Sequence, residues 1–321
     1  MPYIMKCILC WLILNRLKSY IMTNECSVLR FYENFSDEDS CIRYLESVRW
    51  KDGVVSPFDA ASKVYKCKGN RYRCKNTGKY FNVKTGTIFE NSKLPLRHWF
   101  YAMFMFLSHK RGVSSCQLAR DLGVTQKTAW SMLHKLRDCM DVFNSGKLEN
   151  EVEIDETFVG GKNKNRHKDK KVEKCQGRSF KDKVPVFGML QRNGRLIAKA
   201  VTNTQSKTLA PVISEHVSIG SIVYTDGWDY GGLRSSYRQM SVDHSKNFYG
   251  ASFVNCDGEL LFVNTNSIEN AWSHLKRTIT GTYYHISKKH IQKYVDEFTF
   301  RFNTRKYTDF ERFGLYLQQI A

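Results

Sequence analysis

The chain lacks an apolar run long enough to cross a bilayer. The run near its start, Cys7-Ile-Leu-Cys-Trp-Leu-Ile-Leu14, falls short of the roughly 20 residues a spanning helix needs. It resembles the apolar stretch of a secretory leader, but only Lys6 precedes it and no small-residue cleavage site is clear. An extension upstream of a start at Met22 fits better. A regular cysteine framework is also missing: ten cysteines show no repeated spacing and five lie before position 70. In a chain this long that pattern points to free thiols in a reducing compartment, and so to the cytoplasm. There is no internal repeat, no long low-complexity tract, and no long basic amphipathic helix of the kind that lies on membranes. Acidic charge is scarce, with 31 Asp and Glu against 50 Lys and Arg, a net charge of +19. The first partner this implies is nucleic acid, because neutralising phosphates releases counterions and drives binding.

What is present suits a multi-module globular protein. A length of 321 residues implies two or three modules, and 42% hydrophobic with 13% aromatic residues excludes global disorder. After residues 1–35, read as an N-terminal extension, Ser36 to Trp50 predicts a short helix with Ser36 as N-cap and acids in its first turn. From Gly53 to Phe89 the pattern becomes short strands with turn residues: Lys63–Lys66, Arg71–Cys74 and Lys79–Val83. Residues 36–92 thus read as a helix plus a small β module rich in Lys, Arg and aromatics.

Residues 93–145 read as helical. Leu96 to Ser108 is apolar. A helix from Ser114 to Leu122 then ends at Gly123, and another starts at the N-cap Thr125 and buries Ala129, Met132, Leu133 and Leu136. Two helices joined by a tight glycine-containing turn fit a helix-turn-helix, although a plain helical hairpin fits the same pattern. In the DNA-reading geometry Gln126, Lys127, Thr128 and Ser131 face the major groove.

Residues 146–321 carry the chemistry. Strands are predicted at Glu151–Val159, Val184–Leu190, Leu196–Val201 and Ser221–Tyr224, with a shorter one at Ser241–Ser245. Helices are predicted at Ser206–Val217, Asn266–Ile279 and Ser287–Asn303. This order gives an α/β fold with a mixed sheet and packed helices. Asp155 sits mid-strand, projecting with Glu151, Glu153 and Thr157 away from the face of Val152, Ile154 and Phe158; a solvated strand edge would look the same. Asp226 ends an apolar strand, where open α/β sheets place ligand sites, or simply forms a turn before Gly227. Asn266 and Glu269 match a capping box, yet Asn266, Glu269, Ser273 and Lys276 also share one helical stripe beside an apolar one of Ile268, Trp272, Leu275 and Ile279. Carboxylate oxygens suit hard divalent cations, two of which can support phosphoryl transfer, and Lys276 would offer a cation to a nearby phosphate. A basic stretch that includes Lys162, Lys164, Arg166, Lys168, Lys170, Lys171 and Lys183 is expected to contact phosphates, unless it is a solvated hairpin tip. His244 reads as a structural histidine, or as one that approaches the site from a neighbouring strand.

Several segments together resemble insertion-sequence transposases of the DDE superfamily, in the ISXO-type group. They are Glu153-Ile-Asp-Glu-Thr-Phe-Val-Gly-Gly-Lys162, Tyr224-Thr-Asp-Gly227, Thr265 to Arg277, Gly281-Thr-Tyr, and Tyr294 to Asn303. The resemblance implies an RNase H-like core, two Mg²⁺ or Mn²⁺ ions, DNA cleavage followed by strand transfer, and at least a homodimer on DNA. It assigns Asp155 and Asp226 as the first two acidic positions. For the third it leaves Glu269 and Asn266 as rivals; Glu269 is preferred because a carboxylate is the better ligand for a hard cation. It also implies a zinc ribbon of two Cys-x-x-Cys pairs. Here these align with Ser56-Pro-Phe-Asp59 and Cys74-Lys-Asn-Thr77, so one thiol of four remains. The β module is therefore expected to be degenerate and zinc-free, held by Tyr65, Tyr72, Tyr80 and Phe81. The alternatives to a transposase are a decayed end-binding repressor and a nuclease that cuts without joining.

Overall fold

The computed structural model describes residues 28–141, 146–160, 167–171, 183–226, 236–241, 251–254 and 260–321. The expected start at Met22, the strand residues beyond Ser241, and His244 lie outside them. Two compact units form: one runs to Ser108 and takes in Tyr307–Ala321, and the other is His109–Lys306. Among the described residues no helix is long and apolar enough to cross a membrane.

The first unit has a helical part made of α1 (Val28–Asn34), α2 (Glu38–Arg49), α3 (Leu96–Ser108) and, from the far end of the sequence, α9 (Asp309–Ile320). Its core is aromatic: Phe31 stacks on Phe104 at 4.9 Å, and Phe35 meets Phe100 edge-on at 5.1 Å and Phe313 at 5.8 Å. Such pairs add directional contacts to the area they bury. The α2 helix starts later than Ser36, because Asp37 is the N-cap, accepting the Ser40 N–H in a capping box. Glu38 then accepts the Leu96 and Arg97 N–H groups at 2.7 and 3.0 Å, which satisfies orphan donors at the start of α3.

The β module contains β1 (Val64–Cys67), β2 (Arg71–Cys74) and β3 (Tyr80–Phe81), in antiparallel order β1-β2-β3. Its core corrects the sequence reading. Tyr72, Cys74 and Phe81 are buried with Trp50, Val54 and Val64 against them, whereas Tyr65 and Tyr80 are 44% and 52% exposed. Alternation along a strand puts adjacent residues on opposite faces, and only one face of this short sheet is covered. Hydroxyls of Ser56, Ser62 and Thr77 surround the Cys74 thiol and hold it down at about 6. One thiol among hydroxyls is not the donor set of structural zinc, which takes Cys and His.

In the second unit, α4 (Ser115–Leu122) and α5 (Gln126–Arg137) are joined through Gly123, whose φ of 64° suits glycine. Ser114 and Thr125 cap them, accepting N–H groups of Gln117 and Thr128. The sheet contains β4 (Glu151–Val159), β5 (Val184–Gln191), β6 (Leu196–Ala200), β7 (Ile222–Thr225) and β8 (Arg238–Ser241), in the order β6-β5-β4-β7-β8. The β4–β5 and β5–β6 pairs are antiparallel; β4–β7 and β7–β8 are parallel. One face packs on α6 (Ser206–His216) through Val152, Ile154, Phe187 and Ile213. A two-stranded hairpin, β9 (Ala251–Val254) with β10 (Leu260–Val263), precedes α7 (Asn266–Thr278). The α7 helix and α8 (Ile291–Asn303) cover the other face, with Ile268, Trp272, Leu275 and Val295 against Val186, Leu196 and Ala198. The hairpin and α9 were not expected from the sequence. The expected helix at Ser287 begins instead as a 3₁₀ turn at Lys288–His290, and a π-helical turn, Ile279–Tyr283, follows α7.

Candidate active site

Asp155 lies on the central strand β4, not at a solvated edge. Odd-numbered residues of β4 point to the face covered by α7, so Asp155 sits beneath that helix with Glu153 and Thr157, which are buried. The indole N–H of Trp272 donates to Asp155 Oδ2 at 3.1 Å. This contact depends on Gly188, the β5 residue paired with Asp155. A Cβ there would lie 2.4 Å from the Trp272 ring, so only glycine lets the indole pack this closely on the sheet.

The parallel register pairs Ile154 with Thr225. One further step sets Asp226, half-buried at the end of β7, beside Asp155 on strands spaced about 4.8 Å apart. Burial is the largest influence on Asp155 and raises its pKa; the negative charges of Glu156, Glu269 and Asp226 raise it further, against a backbone hydrogen bond at Glu156, to about 7. Asp155, Asp226 and Glu269 therefore share one electrostatic neighbourhood. Among the described residues, no group of three or more His, Cys, Asp or Glu is gathered closely enough to hold a metal ion as it stands.

The capping-box reading of α7 is corrected. Thr265 is the N-cap and Asn266 is the first helical residue. Glu269 does not reach back to an Asn266 cap; its Oε1 accepts the Thr265 hydroxyl at 3.2 Å. The shift arises because Asn264 Oδ1 takes the Asn266 N–H at 3.3 Å, one residue earlier than the sequence motif implies. Asn266, Glu269 and Lys276 are all exposed, Lys276 in the last turn of α7.

Two residues that the sequence did not single out position this helix. Glu153 is fully buried, and its carboxylate accepts Arg192 Nε and the Ile268 N–H, each at 3.0 Å. Arg192 also donates to Glu151 Oε2 at 3.1 Å and to the carbonyls of Phe262 and Asn264 at 2.6 and 3.1 Å, and lies 4.0 Å over the Tyr224 ring. Strand β4, the end of the hairpin and the start of α7 are thus tied by one guanidinium, whose planar fork suits several acceptors. An Arg directly after a strand in a chain rich in arginine gave no signal of this.

Of the residues expected to face DNA, Gln126, Lys127 and Ser131 are exposed on α5 and Thr128 is half-buried. Lys168 and Lys171 are exposed at a 3₁₀ turn spanning Lys168–Lys170, and Lys162, Lys164 and Arg166 lie outside the described residues.

Comparison with known proteins decides the family. Residues 147–303 match the ISXO2-like transposase domain. A transposase-like protein of Haemophilus influenzae is 35% identical over 106 residues, covering 32% of this chain and 76% of that protein. The chain belongs to the ISXO2-like transposases. A protein of the transposable element ISH50 in Halobacterium salinarum is 28% identical over 285 residues, 84% of this chain and 92% of the relative. The matched domain starts just before β4 and ends with α8, so it holds Asp155, Asp226 and Glu269 as well as Glu151 and Glu153.

Proposed function

We propose that this transposase binds the ends of its insertion sequence, cuts them, and joins the freed 3′ ends to target DNA through an RNase H-like core. The observation that carries this reading is the negative charge gathered at Asp155: in a chain of net charge +19, burial and then the charges of Glu156, Glu269 and Asp226 push its pKa up to about 7. A divalent cation relieves that imbalance, and hard carboxylate oxygens suit Mg²⁺ or Mn²⁺. Asp155, Asp226 and Glu269 would hold two such ions, which supply Lewis-acid stabilisation of charge at the phosphate in both cleavage and joining. Trp272 fixes the direction of the Asp155 carboxylate, and Arg192 with Glu153 anchors the helix bearing Glu269. Lys276 offers its ammonium to a phosphate flanking the cut, and Asn266 is the rival third position. The α4–turn–α5 pair acts as a helix-turn-helix through Gln126, Lys127, Thr128 and Ser131, and the basic segment from Lys162 to Lys171 grips phosphates. Pairing of two element ends calls for a dimer or larger assembly in the cytoplasm.

A labelled element end incubated with the protein and Mg²⁺ tests the reading. Joined products support transposition, nicks without joining support a nuclease, and binding alone supports an end-binding repressor. The repressor reading draws on the lack of a gathered ligand set among the described residues. Comparing Glu269→Gln with Asn266→Ala identifies the third position: the variant that loses nicking while still binding ends marks it.

A further inference from the structure

A second site lies away from the carboxylates, within the same compact unit. A cavity of about 610 Å³ opens beside the starts of α4 and α5, lined among others by Ser114, Gln117, Gln126, Trp130, Tyr284 and His285. That volume falls in the range of small-ligand sites. Two of its lining residues, Arg137 and Tyr283, belong to a buried ionic network. Arg137 Nε donates to Glu297 Oε2 at 2.7 Å, Arg301 donates to Glu297 Oε1 at 2.6 Å, and the Tyr283 hydroxyl donates to the same carboxylate. Gly112, at φ +77°, lies so close that a Cβ would collide with the Tyr283 hydroxyl. Tyr283 is therefore fixed inward.

Its neighbour Tyr284 is thrust outward. It has φ 58° and ψ −57°, closes a γ-turn in which the His285 N–H donates to the Tyr283 carbonyl at 2.6 Å, and is 84% exposed. Positive-φ γ-turns are rare and strained, and strain of this kind persists only where the surroundings over-determine it. An apolar ring held in water by a strained backbone gains nothing from folding. It gains from a flat partner.

We propose that this cavity receives a nucleobase unstacked from the bound DNA, with Tyr284 stacking on the base at the mouth. This rests on the reading that α5 lies against DNA. Three features favour a base over other occupants. Aromatic faces stack on any base. An amide such as that of Gln126 can pair with a base edge by exchanging the 2.7 Å bond it donates to Ser115 Oγ. Gln126 also opens the helix proposed to enter the groove, so the cavity sits where the duplex would pass. An unstacked base leaves a deformable step, which a protein can read without touching other base edges.

Duplexes of the element end carrying 2-aminopurine at successive positions test the proposal on the full chain, with end binding measured in parallel. Binding by the wild type should raise 2-aminopurine emission at one position. Tyr284→Ala should abolish that rise and weaken binding about tenfold, the scale of one base–aromatic stack, and Tyr284→Phe should restore both. A bound complex with no emission rise at any position, or a rise that survives Tyr284→Ala, overturns the proposal. Failure of the wild type to bind any end overturns the DNA-binding reading beneath it.

Discussion

Two carboxylate regions in the same compact unit, one buried and one half-buried, have opposite electrostatic fates. Burial alone would raise the pKa of Glu297, but Arg137 and Arg301 outweigh it and hold the carboxyl below its ordinary range. Arg137 is itself almost fully buried, and it lies 4.0 Å over the Tyr294 ring. Among the described residues no such cation acts on Asp155: the charges that shift it are acidic, and with burial they raise its pKa to about 7. The first region is a structural network in which one carboxylate is held by two guanidinium groups of the same fold. The second is left short of positive charge in a protein that has a large surplus of it. Shortage at a protected position, where burying a charge is costly, is what the proposed divalent ions would relieve.

The largest expected effect tests the second region. Asp155→Asn should lower nicking on the order of a thousandfold, the scale of several kcal/mol of lost metal-assisted stabilisation, while melting temperature holds or rises because like-charge repulsion is removed. A variant that instead melts much earlier would show Asp155 to be structural and erase the contrast. The first region should behave in the reverse way. Glu297→Gln leaves Arg137 buried without its counter-charge and should cost about 3–5 kcal/mol in urea unfolding. A loss below about 1 kcal/mol, the scale of an exposed pair, would mean the carboxylate is not held in this way.

A smaller effect sharpens how Asp155 is aimed. Gly188→Ala pushes a methyl group into the Trp272 ring and should cost roughly 1–3 kcal/mol, with nicking reduced more than in Trp272→Phe, which keeps the ring packed and gives up one hydrogen bond. Equal nicking in both variants would detach the indole from function. The smallest effect is a slope with pH. Asp155 has a folded value of about 7 against an ordinary 3.8, so between these values the folded state holds more protons than the unfolded one. Its contribution to stability without metal is then greatest at low pH and declines as pH rises from about 4 through 7. Added Mg²⁺ should raise the melting temperature more at pH 8 than at pH 6, because the ion competes with the proton for Asp155. A thermal shift equal at both values, or a slope that persists in Asp155→Asn, would remove this group from ion binding.

The legible parts of the fold were those governed by near neighbours. The bounds of α3 and β4 agree with the sequence periodicity, as do Thr125 and Gly123 at the ends of the α4–α5 turn, because apolar spacing and capping chemistry act over a few residues. The pairing of Asp155 with Gly188 was not legible. Neither were the reach of Arg192 to the start of α7 and the capture of α9 by the first unit, since each joins distant segments through register and packing. The motif at Asn266 misled for a related reason. Asn264 takes the Asn266 N–H, and the helix starts one residue earlier than the capping-box pattern implies.

By itself the sequence determined the excess of positive charge, the spacing of several helices and strands, and the segments within residues 147–303 that tie the chain to its family. Those are properties of composition and local spacing. Tertiary structure alone decided which carboxylates would be neutralised. Trp272 reaches Asp155 across 117 residues and Arg137 reaches Glu297 across 160. The charge state of a buried group is set by whatever the fold brings beside it, at a range no sequence window contains.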